Sequence, residues 1–191
     1  MRCMLRAVLV TTVLVLAASE LSAQRAAAHS GVWFGAGLGM GSARLSCTIC
    51  RAGRDGGTSG YLRVGATLTP RFLLGGESAI WYHSENDMSF LLGSVLAVVY
   101  LYPMKNSGFY LKTGLGVAQY SAKDQNDEIS TQALAGQIGV GYEVMVARNL
   151  SIVPFANFQG TAGADVRLNN TVSDLSANTS LIQVGLGITM H

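Results

Sequence analysis

The segment WYHSEND, residues 81–87, brings together the residue types of an acyl-transfer triad. His83 and Ser84, with the acids Glu85 and Asp87, supply a base, a nucleophile and an orienting group. A nucleophile and its base must lie within hydrogen-bond reach of each other. His83 and Ser84 are neighbours in a segment that alternates as a strand does, so their side chains point to opposite faces. We therefore interpret the segment as a polar strand end, and we predict no catalytic residue and no enzymatic activity.

The N-terminus has the pattern of a secretory signal peptide. Two arginines precede an apolar stretch over 7–18, and a run of small residues follows over 19–28. The apolar stretch is too short to cross a bilayer as a helix. We predict a signal peptide over residues 1–23, with cleavage after residue 28 equally readable, and one exported domain over 29–191.

Two cysteines, Cys47 and Cys50, lie close together in the sequence CTIC. In an exported protein we expect thiols to be oxidised. A local disulfide is the preferred interpretation, and free thiols or half of a metal site are the alternatives. A structural zinc site needs four ligands, and the nearby sequence does not supply the others. We predict no metal site and no cofactor.

The composition of the chain limits the classes of molecule that it is expected to bind. The chain is 49% hydrophobic and only 13% charged, with 23 glycines and 3 prolines. Without the signal peptide, 11 basic residues face 10 acidic ones, because two arginines and one glutamate leave with it. A chain with so little net charge is not expected to bind nucleic acid. An exported chain this apolar needs either a large core or a surface that contacts lipid.

Apolar residues recur at every second position, which is the period of a β-strand. In GFYLKTGLGVAQY, Phe109, Leu111, Leu115 and Val117 alternate with glycines, small residues and Lys112. The segment at 89–102 is apolar on both faces and is the least decisive. Eight segments of this kind are present: 30–41, 61–68, 72–83, 89–102, 108–120, 133–144, 150–160 and 181–191.

The connections between these segments alternate in kind along the chain. Three short turns lie at 69–71, 103–107 and 147–149. The other four connections are more polar and lie at 42–59, 84–88, 121–131 and 161–178. This order predicts an all-β fold, an eight-stranded antiparallel up-and-down transmembrane β-barrel with its short turns at one end.

Four charged residues lie on the face that also carries the glycines: Arg63, Glu77, Lys112 and Glu143. If the apolar face meets lipid, these charges meet the lumen. Buried charges persist where they are paired and hydrogen-bonded. We predict lumen ion pairs across adjacent strands, Lys112 with Glu143 and Arg63 with Glu77, and we expect the glycines to leave room for the long side chains.

Aromatic residues cluster near the ends of the segments. This placement is typical of the two interfacial girdles of a membrane protein, although aromatic residues also favour strands in general. We interpret them as girdles: Phe72, Tyr100, Tyr102 and Phe109 near the short turns, and Tyr82, Phe90 and Tyr120 near the long connections.

With these features the chain resembles the small eight-stranded outer-membrane barrels, the porin-like family that includes the transmembrane domain of outer membrane protein A. The resemblance is one of pattern over the whole exported chain. It implies a Gram-negative outer-membrane location and assembly by the periplasmic chaperones and the barrel-insertion machinery. The last segment ends on His191, whereas chains of this family usually end on an aromatic residue.

An eight-stranded barrel encloses little more than its own side chains, so a wide pore is not expected. We therefore predict a structural or surface-interaction role, with four loops outside the cell and both termini in the periplasm. The expected partners are outer-membrane lipid and lipopolysaccharide, the insertion machinery acts during assembly, and the barrel is a monomer. The alternatives are a narrow channel for small solutes and an enzyme that modifies lipopolysaccharide at the barrel rim.

Overall fold

The computed structural model describes residues 30–46, 53–85, 88–104, 107–123, 128–168 and 171–191. The predicted signal peptide and the Cys47 and Cys50 pair lie outside these ranges. No helix in the described ranges is long and apolar enough to cross a membrane. The strands are β1 (Val32–Ser46), β2 (Asp55–Thr69), β3 (Phe72–Glu85), β4 (Met88–Leu101), β5 (Phe109–Lys123), β6 (Glu128–Tyr142), β7 (Val144–Ala147), β8 (Leu150–Leu168) and β9 (Thr171–Met190).

All the strands belong to one antiparallel sheet that closes on itself. Each strand from β1 to β5 pairs with the next, β8 pairs with β6, β7 and β9, and β9 pairs with β1. Because β6 and β7 follow each other along the same edge of β8, they form two parts of one barrel strand. The molecule is therefore the predicted eight-stranded up-and-down barrel.

The break between β6 and β7 has a local cause. The ladder keeps one register on both sides of the break, and this register places Pro154 opposite Tyr142. Proline has no N–H group to donate to the ladder. The next residue, Glu143, keeps its bond on the other side, where its N–H donates to the carbonyl oxygen of Gly108 at 2.9 Å.

The registers fix the stagger of the barrel. A walk from Phe34 around all the strands, always to the paired residue, returns to β1 at Arg44, ten positions further along. Eight strands with such a stagger tilt by roughly 35–45° and enclose an interior just wide enough for side chains. The walk passes through Phe34, Val64, Gly76, Ala97, Leu115, Gly136, Gly160, Ser180 and Arg44.

Side chains alternate between an apolar exterior and a mixed interior. Large apolar residues stay exposed on the outside, with Leu38 at 78% and Leu115 at 74%. The inside holds Arg63, Glu77, Lys112 and Glu143 together with large aromatic residues such as Trp33 and Trp81, which are almost fully buried. This arrangement is the reverse of that in a soluble barrel, as the sequence pattern predicted.

The strands are longer than the apolar segments of the sequence. β1 continues to Ser46, and β8 and β9 form a hairpin that reaches Leu168 and Thr171. Backbone N–H and C=O groups pair in a ladder whether the side chains are apolar or polar, so the strands run on into the predicted polar connections. The three short turns lie where they were predicted, to within a residue or two.

Candidate functional site: the polar interior of the barrel

The four charged residues predicted for the lumen are all buried. Arg63 on β2, Glu77 on β3, Lys112 on β5 and Glu143 between β6 and β7 are each at most 5% exposed. Two positive and two negative charges thus lie inside one narrow barrel. Their surroundings must replace the water that these groups lose.

Lys112 forms its ion pair with Glu77. Its Nζ atom lies 2.8 Å from Oε1 and 2.9 Å from Oε2 of the carboxylate. The predicted partner was Glu143, but the register places Glu143 opposite Gly108 and not opposite Lys112. Gly108 lies four positions before Lys112 in the sequence, so Glu143 is displaced from Lys112 by about 13 Å along the strand. The ion pair instead reaches over the intervening strand β4.

Arg63 lies directly opposite Glu77 in the register, but its guanidinium turns elsewhere. Nη1 donates to the hydroxyl of Tyr100 at 3.0 Å and to that of Tyr110 at 3.4 Å, and Nη2 donates to the hydroxyl of Thr189. No direct ion pair joins Arg63 to Glu77 in the described part of the chain. The predicted pairing is therefore replaced by a linked arrangement through hydroxyl groups.

Tyr100 is the link. Its hydroxyl accepts the hydrogen bond from Arg63 and donates to Oε2 of Glu77 at 3.2 Å. A continuous polar network therefore runs from Arg63 through Tyr100 and Glu77 to Lys112. We name this set, together with Tyr110 and Thr189, the lumen network.

Aromatic rings surround the guanidinium of Arg63. Its Cζ atom lies between 5.0 and 5.8 Å from four ring centres, and such contacts with a cation are favourable when water is excluded. The rings stabilise a charge that no carboxylate of the described residues contacts directly. They belong to Tyr100, Tyr61, Tyr110 and Trp33.

Glycines on the neighbouring strands make room for these side chains. A methyl group at Gly35 would overlap with the side chain of Arg63, and one at Gly37 would overlap with the ring of Tyr61. Gly65 in the same way lies against the ring of Trp33. The glycines on the interior face of β1 and β2 therefore leave the space that the large interior side chains occupy, as expected from the sequence.

A second polar cluster closes the end that carries the short turns. The hydroxyl of Tyr102 donates to Oε1 of Glu143 at 2.7 Å, and Nε2 of His191 lies 3.3 Å from Oε2 of the same carboxylate. All three side chains are buried or nearly so. These contacts place Glu143 at this end of the barrel.

Polar amides and aromatic rings fill the rest of the interior. Ser94 donates to Oε1 of Gln159 at 3.0 Å across the lumen. Towards the opposite end, the imidazole of His83 is stacked between Trp81 and Phe90, with ring centres 6.0 and 5.9 Å away. Other buried amides are those of Gln137, Asn157 and Gln183.

The residues of the possible triad do not converge. His83 faces the interior, whereas Ser84 is exposed on the other face of β3. Nε2 of His83 lies 3.6 Å from the carboxylate of Glu85, and Asp87 lies outside the described residues. The geometry thus holds a histidine and an acid together without the nucleophile. In the described ranges, no three His, Cys, Asp or Glu side chains are placed to hold a metal ion.

Comparison with known proteins identifies the fold. No protein-family model and no curated protein sequence matches the chain. Among solved structures, Neisserial surface protein A superposes with a TM-score of 0.65 at 14% identity, over 84% of this chain and 97% of its own. The chain has the fold of the small eight-stranded outer-membrane β-barrels.

Two further outer-membrane barrels superpose on most of the chain. The attachment invasion locus protein Ail of Yersinia pestis has a TM-score of 0.53 at 14% identity, over 83% of this chain and 99% of its own. OprG of Pseudomonas aeruginosa has a TM-score of 0.52 at 15% identity, over 87% and 99%. At such identities the likeness establishes the fold.

Some of the aromatic residues assigned to the interfacial girdles lie elsewhere. Phe72 and Tyr82 are exposed on the exterior, as a girdle requires. Tyr100, Tyr102 and Tyr120 are buried in the interior, and Phe90 packs against the interior cluster. The girdle assignment is wrong for these four, because the face of a strand residue is set by its alternation and not by its distance from a turn.

Sequence reasoning also missed the hydroxyl groups of the lumen network. Tyr100, Tyr110 and Thr189 carry the contacts of Arg63, yet only the charged residues were selected. One signal was available: Tyr110 and Thr189 share their strand faces with Lys112 and Gly187. No such signal existed for Tyr100, because its segment is apolar on both faces.

Proposed function

We propose that the chain is an integral outer-membrane protein with a structural or surface-interaction role. In this proposal the connections β1–β2, β3–β4, β5–β6 and β8–β9 face the cell exterior, and both termini face the periplasm. Supporting this, all four connections leave the same end of the barrel, and the exterior is apolar below them.

The filled interior is the observation that carries the proposal. The lumen network lies at one level, Glu143 with Tyr102 and His191 lies below it, and the stacked ring of His83 lies near the other end. Large side chains thus occupy the barrel along its length. An interior of this kind supports an anchor better than it supports a passage for solutes.

The upper parts of the strands favour a role at the surface. The exterior face of β1 changes from Met40 to Ser42, that of β5 from Val117 to Gln119, and that of β9 from Ile182 to Ser180. Polar strand ends of this kind stand above the hydrocarbon and hold the loops away from the membrane. Loops on a rigid scaffold are the usual carriers of recognition.

Insertion is tested by electrophoresis of unheated and boiled samples after folding into detergent and after extraction from outer membranes. We expect the unheated protein to migrate faster than the boiled one and to fractionate with the outer membrane. Equal migration, with the protein recovered in the soluble periplasmic fraction, would overturn the proposal.

Orientation is tested with an epitope inserted between residues 125 and 126. Antibody should label intact cells that carry this insertion. A matched insertion between residues 148 and 149, in a short turn, should be labelled only after the outer membrane is permeabilised. Labelling of intact cells through the 148 insertion alone would reverse the orientation.

The two alternatives have their own tests. A narrow channel would give discrete conductance steps in a planar bilayer, which should increase when Lys112→Ala opens the lumen network. An enzyme acting at the rim would remove an acyl chain from lipid A in a manner that depends on Ser84. We expect neither result.

A further inference from the structure

We propose that Arg44 and Arg54 form a binding site for the phosphate groups of a phosphorylated glycolipid in the outer leaflet. The site lies on the exterior of β1 and β9, at the end from which the four long connections leave. This inference rests on the proposed function, since it requires insertion in the stated orientation. It assigns a lipid partner to one position on the barrel.

Arg44 stands on the exterior face of β1. It shares this face with Met40 and Ser42, and it is exposed. Its side chain makes no hydrogen bond or ion pair with another described residue. On the neighbouring strand its paired residue is Ser180. Arg44 therefore presents a positive charge that no described residue pairs with, four positions beyond Met40, the last apolar residue on the exterior face of β1.

Arg54 precedes β2 but lies across β1 and β9. Its Nη2 donates to the carbonyl oxygen of Ser42 at 2.6 Å, its Nε to the Ser42 hydroxyl at 3.3 Å, and its Nη1 to the Ser180 hydroxyl at 3.2 Å. These contacts hold the guanidinium in place on the outer surface. These three acceptors are neutral, so none of them compensates the charge of Arg54.

The two arginines share one patch. Ser180 is bonded to Arg54 and is also the residue paired with Arg44, and paired residues on neighbouring strands are about 4.5–5.5 Å apart. Asp55, the acid nearest in sequence, pairs with the buried residue Ala43 and so lies on the interior side. Among the side chains that the structure describes, no acid is bonded to either arginine. Two adjacent positive charges with no acidic partner among the described side chains attract an anion.

The position of the patch selects the kind of anion. The exterior of these strands is apolar up to Met40 and Ile182, so the patch stands at the boundary between hydrocarbon and head groups. Arginine binds phosphate through two parallel hydrogen bonds, and the interaction is stronger next to a medium of low dielectric constant than in water. A lipid phosphate here would leave its acyl chains against the apolar belt, whereas free inorganic phosphate has no such contact.

Binding is measured by native mass spectrometry of the barrel released from detergent micelles with added lipid A that carries both phosphates. We expect binding to weaken at least tenfold in the double variant Arg44→Gln/Arg54→Gln. The matched control, Arg71→Gln/Arg148→Gln, removes two exposed arginines at the other end and should bind as the wild type does. Dephosphorylated lipid A should bind the wild type as weakly as lipid A binds the double variant.

Several outcomes would overturn the inference. Equal binding by wild type and double variant would do so, as would an equal loss in the control variant. Competition by inorganic phosphate at the concentration at which lipid A binds would overturn the assignment to a lipid. If the double variant does not fold, Arg44→Gln alone decides the matter, because Arg44 bonds to no other described residue and its loss should still weaken binding several-fold.

The electrophoretic shift separates this inference from the proposed function. If the wild-type protein shows the shift but binds lipid A no better than dephosphorylated lipid A, the membrane barrel is supported and the phosphate site is wrong. A protein without the shift removes the membrane assignment itself.

Discussion

Lys112 on β5 and Glu77 on β3 form an ion pair that spans the strand between them. Tyr100 on that strand bonds to the same carboxylate and connects it to Arg63. Four strands, β2 to β5, and three charges are therefore tied together inside the barrel. The side chains of the network also fill part of the lumen, the space through which ions would pass in an open barrel.

Lys112→Met should destabilise the barrel by about 3–5 kcal/mol, because it leaves the Glu77 carboxylate buried without its cation. The free energy of unfolding is measured by urea titration of the protein folded in lipid vesicles. The double variant Lys112→Met/Glu77→Gln removes both charges and should recover most of the loss. If the single and double variants are equally unstable, the pair is not the stabilising element.

Tyr100→Phe should cost about 1–3 kcal/mol, because it removes a buried hydroxyl that both accepts from Arg63 and donates to Glu77. The matched control is Tyr82→Phe, on the exposed exterior of β3, where a change within about 0.5 kcal/mol is expected. The same urea titration compares the two. A Tyr100→Phe barrel as stable as the Tyr82→Phe barrel would remove Tyr100 from the network.

Gly37→Ala should destabilise by about 1–3 kcal/mol, because the new methyl group would overlap with the ring of Tyr61 and force it to move. Gly93→Ala is the control, since a methyl group there would meet no atom within 4 Å. We expect the control to unfold at or above the wild-type urea concentration. Equal effects at both positions would mean that the packing of Tyr61 does not depend on the space left by Gly37.

Leu38→Arg should cost about 2–4 kcal/mol in a bilayer, because it places a charge on the lipid face near the middle of the membrane. Gln119→Arg, on the exterior above the apolar belt, should cost only about 0–1 kcal/mol. Both are measured by unfolding from vesicles. If the exterior of the barrel did not contact hydrocarbon, Leu38→Arg would not be more destabilising than Gln119→Arg.

The period-two pattern was sufficient to predict the barrel, its eight strands and the burial of all four charges. It assigns each residue to a face, and the faces of Arg63, Glu77, Lys112 and Glu143 follow directly. The partners of these residues did not follow. They depend on the register between strands, which places Glu143 opposite Gly108, and on the direction in which a long side chain leans.

The aromatic interior was harder to predict for a different reason. The segment with Tyr100 and Tyr102 is apolar on both faces, so alternation gave no contrast between lipid and lumen. Glycines on neighbouring strands hold the missing information, since Gly141 lies against Tyr110 and Gly65 against Trp33. That relation depends on the register between neighbouring strands, which pairs Gly141 with Tyr110 and Gly65 with Trp33.

Photolabelling from within the bilayer tests the central assignment most directly. A diazirine reagent dissolved in the hydrocarbon is activated around the reconstituted barrel, and the modified residues are mapped by mass spectrometry. We expect label on Leu38, Leu115 and Leu134, and none on Lys112 or Glu77. Label on the charged residues with the leucines spared would contradict an exterior that contacts lipid and an interior that encloses the charges.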